Sequence, residues 1–150
     1  MEITERVIRE ADIVDITGMT KEGALQALVD TLAKRPEVTD PKELYESIIN
    51  REKVISTGIG ISLALPHVKI PSVRNFVLAI GRSTRGIDFD ALDGHLVHIV
   101  AMFCASDKQA GEFLKVLAQL VLRFKDKELR QKILLTPDPE KVREVLLSYE

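Results

Sequence analysis

An α/β fold is what the sequence predicts, a single domain with a mixed four- or five-stranded β-sheet flanked by helices on both faces. Three observations carry that expectation. Apolar residues recur at helical spacing in the first fifty residues and again after residue 106, while the period shortens between them. The run His95 to Cys104, HLVHIVAMFC, is apolar at successive positions, which suits a strand buried on both faces. Finally, 150 residues with 45% hydrophobic side chains can bury roughly 68–70% of the unfolded surface, enough for one core spanning residues 1–150.

The elements follow in order. Leu25, Leu28, Val29 and Leu32 recur with helical period behind Thr20, a predicted N-cap, and Pro36 stops the helix. Asp40-Pro41-Lys42-Glu43 opens the next helix, with Asp40 as cap, Pro41 in the first turn and Glu43 expected to reach back to the cap. Leu44, Ile48 and Ile49 form its inner stripe and Arg51 lies near its end. Asn75 to Arg82 (NFVLAIGR) and His95 to Cys104 read as strands, joined by a polar connection from Ser83 to Gly94 with turn signals at Gly86 and Asp93-Gly94. Ser106-Asp107-Lys108-Gln109 has the form of a capping box, and Phe113, Leu114, Val116, Leu117, Leu120, Val121 and Phe124 make the strongest helical stripe, expected in the core. Leu129–Leu135 and Val142–Leu147 predict two short helices, divided by Thr136-Pro137-Asp138-Pro139.

Composition excludes several function classes. With 21 basic and 23 acidic residues and a formal charge of −2, neither sign gathers into a block suited to nucleic acid or an anionic membrane. The first nine residues, MEITERVIR, are charged throughout, and no apolar run approaches the ~20 residues of a membrane span. The single cysteine, Cys104, has no internal partner. A cytoplasmic protein without membrane insertion is the expectation.

Chemistry concentrates in residues 56–73, STGIGISLALPHVKIPSV. A dinucleotide fingerprint would need a third glycine where Leu63 stands, and Pro66 falls where its helix should run. A P-loop would need a Gly-Lys-Ser/Thr end, which is absent. Gly58 and Gly60 then either permit a bend or bulge between short strands or let the chain pack closely around His67. Pro66 restricts the backbone just before that histidine. A neutral imidazole can attack through one ring nitrogen while the other donates to a carbonyl, which suits transient phosphorylation. Such a site needs positive charge or amide donors around the phosphoryl oxygens, and Arg51 and Lys69 are the candidates.

These residues resemble the enzyme IIA domains of the bacterial phosphoenolpyruvate-dependent sugar phosphotransferase system, of the fructose–mannitol and nitrogen-regulatory type. The matching segments are Arg51-Glu52, Ser56-Thr57-Gly58-Ile59-Gly60, Ala64-Leu65-Pro66-His67, Gly86-Ile87-Asp88-Phe89, Leu92-Asp93-Gly94 and the helix FLKVLAQL. The resemblance implies that His67 carries a phosphoryl group on Nε2, received from an HPr-type donor and passed to a IIB-type acceptor or read by a regulatory target protein. It further implies that Arg51 stabilises the phosphoryl group, that Thr57, Gly58, Gly60, Lys69 and Phe113 border the site, and that neither cofactor nor metal is used. One departure is plain: many members carry a second histidine where this chain has Phe113, and a phenyl ring offers no hydrogen bond to a phosphoryl oxygen. Two functions follow, a phosphocarrier or a non-catalytic regulatory module switched by phosphorylation.

The other histidines read more simply. His95 is expected at a solvated strand edge and His98 as a satisfied core histidine, on opposite strand faces and so unable to share a metal easily. Lys69 and Arg82 could form a basic rim, although solvated charges are the commoner reading.

Overall fold

The computed structural model describes residues 2–54 and 57–149. Ser56, the first residue of one matching segment, lies outside them. Helix α1 (Ile3–Arg9) and strand β1 (Asp12–Asp15) precede the elements expected from the sequence. Neither has an independent signal, because a seven-residue helix is too short to persist alone and is held by tertiary packing of Val7 and Ile8. Helices α2 (Lys21–Leu32) and α3 (Pro41–Val54) follow, and then three short strands, β2 (Gly58–Gly60), β3 (Leu63–Ala64) and β4 (His67–Lys69). The long strands β5 (Val77–Ile87) and β6 (Val97–Ala105) lead into a 3-10 turn (Asp107–Gln109) and helices α4 (Ala110–Lys125), α5 (Lys127–Leu135) and α6 (Pro139–Leu147).

The caps form largely as the sequence requires. Thr20 accepts from the Gly23 amide at 3.0 Å, Asp40 from Glu43 at 3.1 Å and Asp138 from Glu140 at 3.0 Å. The Ser106–Gln109 capping box closes with both side chains engaged. Glu43 departs from expectation: its carboxylate accepts from the Ser72 hydroxyl at 3.0 Å, tying α3 to the loop before β5.

The sheet is mixed, with the path β1-β5-β6-β3-β2 and β4 pairing β6 off that path. β5 and β6 run antiparallel, whereas β1 lies parallel to β5, and β3 and β4 lie parallel to β6. β6 is buried along nearly its whole length, because helices cover both faces. Phe103, Ala101 and Ile99 face a core shared with α1, α4, α5 and α6, while Met102, Val100 and Cys104 face a second core with α2 and α3. The predicted Ser83–Gly94 connection is shorter than expected, since β5 continues through a register shift as far as Ile87. A bulge of this kind hides a strand's alternation and with it the strand. Leu114, assigned to the inner stripe of α4, is 64% exposed, for the helix turns only Phe113, Val116, Leu120 and Phe124 fully inward.

Candidate functional site

The glycine segment folds as a tight hairpin. Gly60 pairs with Leu63, so Ile61 and Ser62 form the whole turn, with φ of 53° and 63°. Two successive left-handed residues define the twist that a two-residue hairpin prefers. Gly60 itself has φ 88°, and a Cβ there would come within 3.2 Å of an Asp93 carboxylate oxygen. Gly60 therefore serves the bend, and the close approach it permits is to Asp93 rather than to His67.

The chain emerging from this hairpin presents His67. β3 and β4 pair with the same strand, Leu63 with Ile99 and His67 with Phe103, and the Phe103 amide donates to the Pro66 carbonyl at 2.9 Å. Nδ1 of His67 lies 2.6 Å from the Leu65 carbonyl oxygen. A carbonyl can only accept, so Nδ1 carries the proton and a neutral ring has its lone pair on Nε2. The imidazole is half-buried. This arrangement leaves one nucleophilic nitrogen on a ring whose other nitrogen is already bonded.

Phe113 forms the wall beside that ring. Its centroid is 6.1 Å from that of His67, with the planes inclined by 41°, and on its other side it stacks on Phe103 at 5.1 Å, which in turn stacks on Phe76 at 5.7 Å. The capping box sets the position of Phe113, because Gln109 Nε2 also donates to Asn75 Oδ1 at 3.0 Å and so clamps the start of α4 to the segment before β5. Lys69, two residues beyond His67 and hence on the same strand face, places its ammonium 5.6 Å from the Phe113 centroid.

The other candidates divide. Arg51 is exposed in the last turn of α3, and its side chain makes no hydrogen bond or ion pair with any described residue. Arg82 is no basic rim: its guanidinium donates to the carbonyls of Ile133 at 2.7 Å and Pro137 at 2.8 Å, and to that of Thr136, closing the C-terminal end of α5. His95 lies in the loop before β6, with its amide on Asp93 Oδ1 at 3.0 Å, rather than at a strand edge. His98 is satisfied, with Nδ1 donating to the Ser83 carbonyl at 3.0 Å. Among the described residues no group of three or more histidine, cysteine or acidic side chains is placed to hold a metal ion, and no helix is long and apolar enough to cross a membrane.

One cluster escaped the sequence reading. Glu52 is 8% exposed, and its carboxylate pairs with Lys21 at 2.8 Å. It also accepts from the Thr57 amide at 3.0 and 3.2 Å and from the Thr57 hydroxyl. Lys21 lies 4.7 Å from the Phe89 centroid as well. Both charges stand at the unfavourable ends of their helices, an acid in the last turn of α3 and a base at the first position of α2. That mismatch was the available signal.

Comparison with known proteins agrees with this architecture. The family model for the phosphoenolpyruvate-dependent sugar phosphotransferase system, EIIA 2, matches residues 8–149. The fructose-specific EIIABC component of the phosphotransferase system of Bacillus subtilis (strain 168) is 31% identical over 150 residues, covering 100% of this chain and 24% of that protein. The chain thus spans about a quarter of the length of that relative. A nitrogen regulatory protein of Bradyrhizobium diazoefficiens is 31% identical over 148 residues, covering 97% of this chain and 95% of the relative. The crystal structure of the nitrogen regulatory protein IIA-Ntr from Neisseria meningitidis superposes with a TM-score of 0.85 at 25% identity, covering 97% of this chain and 99% of that one. By sequence and by fold, this chain belongs to the EIIA 2 family of the phosphoenolpyruvate-dependent sugar phosphotransferase system.

Proposed function

We propose that this chain is a phosphocarrier that accepts a phosphoryl group on Nε2 of His67 from an HPr-type donor and passes it to a IIB-type acceptor. The observation that carries this reading is the 2.6 Å contact between Nδ1 of His67 and the Leu65 carbonyl, which leaves the lone pair on Nε2. In the transfer, the P–N bond of the donor phosphohistidine breaks as the P–Nε2 bond forms, and the donor imidazole departs with the electron pair. Positive charge then develops on the His67 ring, and the Leu65 carbonyl stabilises it through Nδ1–H. Lys69 and Arg51 supply cations for the phosphoryl oxygens, which matters because phosphoryl transfer is mostly positioning and electrostatics. Onward transfer is the reverse exchange. Similarity to a relative whose EIIA region shares a chain with B and C components supports a IIB-type acceptor. Such a carrier works in the cytoplasm.

A second reading is favoured by Phe113. Its ring stands where a hydrogen-bond donor to the phosphoryl group would speed transfer, so slow exchange and control of a regulatory target protein are the alternative use of the same phosphohistidine. Similarity to nitrogen regulatory proteins supports this use.

Incubation with enzyme I, an HPr-type carrier and phosphoenolpyruvate, followed by mass spectrometry under conditions that spare acid-labile phosphohistidine, tests both. Label at His67 is expected; equal labelling of His67→Ala would sink the proposal. Transfer from the labelled protein to a IIB domain at a useful rate favours the carrier over the regulatory module.

A further inference from the structure

The Leu65–Pro66 peptide, whose carbonyl receives Nδ1–H of His67, has no N–H of its own with which to anchor itself. It is held through its flanks. On one side the Pro66 carbonyl accepts from Phe103 at 2.9 Å, inside the β4–β6 pairing. On the other the Leu65 amide donates to the Thr57 carbonyl at 3.1 Å. Thr57 lies just ahead of β2, outside the ladder, so its position depends on what binds it, and that is Glu52. The carboxylate takes both the amide and the hydroxyl of Thr57 while Lys21 neutralises it from α2.

Burying these two charges is costly. The side chains are 4% and 14% exposed, and an apolar pair of similar volume would commonly serve stability as well or better. A buried ion pair that also engages a backbone amide and a hydroxyl is suited instead to fixing one geometry. We infer that Glu52 and Lys21 are positioning residues for His67: through Thr57 and Leu65 they hold the carbonyl that keeps the imidazole in its Nδ1–H tautomer with Nε2 free. This rests on the phosphocarrier reading for its consequence, since only a reaction at Nε2 makes the tautomer matter for rate. A small displacement of the Leu65 carbonyl releases Nδ1, lets the proton redistribute between the two nitrogens and removes part of the nucleophile.

The test uses histidine labelled with nitrogen-15 in the whole chain. Wild-type His67 in its neutral form is expected to show a protonated Nδ1 and an unprotonated Nε2. Glu52→Gln and Lys21→Met should each give a tautomer mixture, together with phosphorylation from the HPr-type donor slowed about 10- to 100-fold, the scale of a misplaced reacting group. Should either variant fail to fold, Thr57→Val removes the hydroxyl donor alone; a tautomer shift in it, recovered in Thr57→Ser, supports the same relay. Folded variants with a wild-type tautomer and a wild-type rate overturn the inference and leave the phosphocarrier reading intact. If the wild type takes no phosphoryl group at His67 but the variants shift the tautomer, positioning stands and the phosphocarrier reading fails.

Discussion

Replacing Phe113 by histidine converts a wall of the site into a donor, and its effect can be worked from the packing. The phenyl ring is 3% exposed, 6.1 Å from His67 and stacked at 5.1 Å on Phe103. Loss of the aromatic stack costs about 0.5–1.5 kcal/mol, and burying a more polar ring brings the total to about 1–3 kcal/mol. Against an ordinary domain stability of about 5–15 kcal/mol, the variant remains folded. On the proposed phosphocarrier reading the gain lies in the transfer step, where a hydrogen bond to a charged phosphoryl oxygen contributes about 1.5–3 kcal/mol, equivalent to a rate increase of roughly 10- to 150-fold. Rapid-quench labelling from an HPr-type donor measures the rate, and thermal melts measure the stability cost. Phe113→Leu, which loosens the stack without adding a donor, should not accelerate transfer. A folded Phe113→His protein that labels at the wild-type rate or slower, or a Phe113→Leu protein that labels as fast as Phe113→His, refutes the reasoning.

Two further outcomes concern stability. Burial pushes the Cys104 thiol from an ordinary 9.0 up to about 12, so the unfolded chain ionises first; the contribution to stability is complete below pH 9 and is lost between pH 9 and 12 at about 1.4 kcal/mol per pH unit. Urea unfolding of the wild type and Cys104→Ala under reducing conditions should therefore converge by about that amount per unit above pH 9, and a constant difference would contradict it. Ile61 is a β-branched residue at φ 53° and 43% exposed, so Ile61→Asn relieves left-handed strain of about 1–2 kcal/mol while giving up little burial. A rise in melting temperature of about 2–4 °C per kcal/mol gained is expected, and a fall would show that the isoleucine contributes packing beyond its exposed surface.

Much of the fold was legible because its determinants are local. Thr20, Asp40, Ser106 and Asp138 announce helix starts that the structure reproduces, and the unbroken apolar run of β6 marks the strand that both cores need. What was not legible rests on tertiary contact. Helix α1 and strand β1 form because neighbours cover them, and the register shift in β5 conceals the strand's continuation from Ser83 to Ile87 behind a polar pattern. Arg82 reads as an exposed base until the end of α5 arrives to accept from it.

The candidate site divides along the same line. By itself the sequence determined that a histidine follows a proline behind two closely spaced glycines, that Arg51 and Lys69 are near it in the chain, and that Phe113 opens the longest helical stripe. The family resemblance put Phe113 at the border of the site, and the tertiary structure supplied the tilted contact of its ring with the imidazole; only the tertiary structure decided that a lysine from α2 and a glutamate from α3 meet beneath Thr57. The physical reason is reach: caps, turns and periodicity act within a few residues, whereas burying a charge pair or stacking a ring depends on which distant segments the sheet brings together.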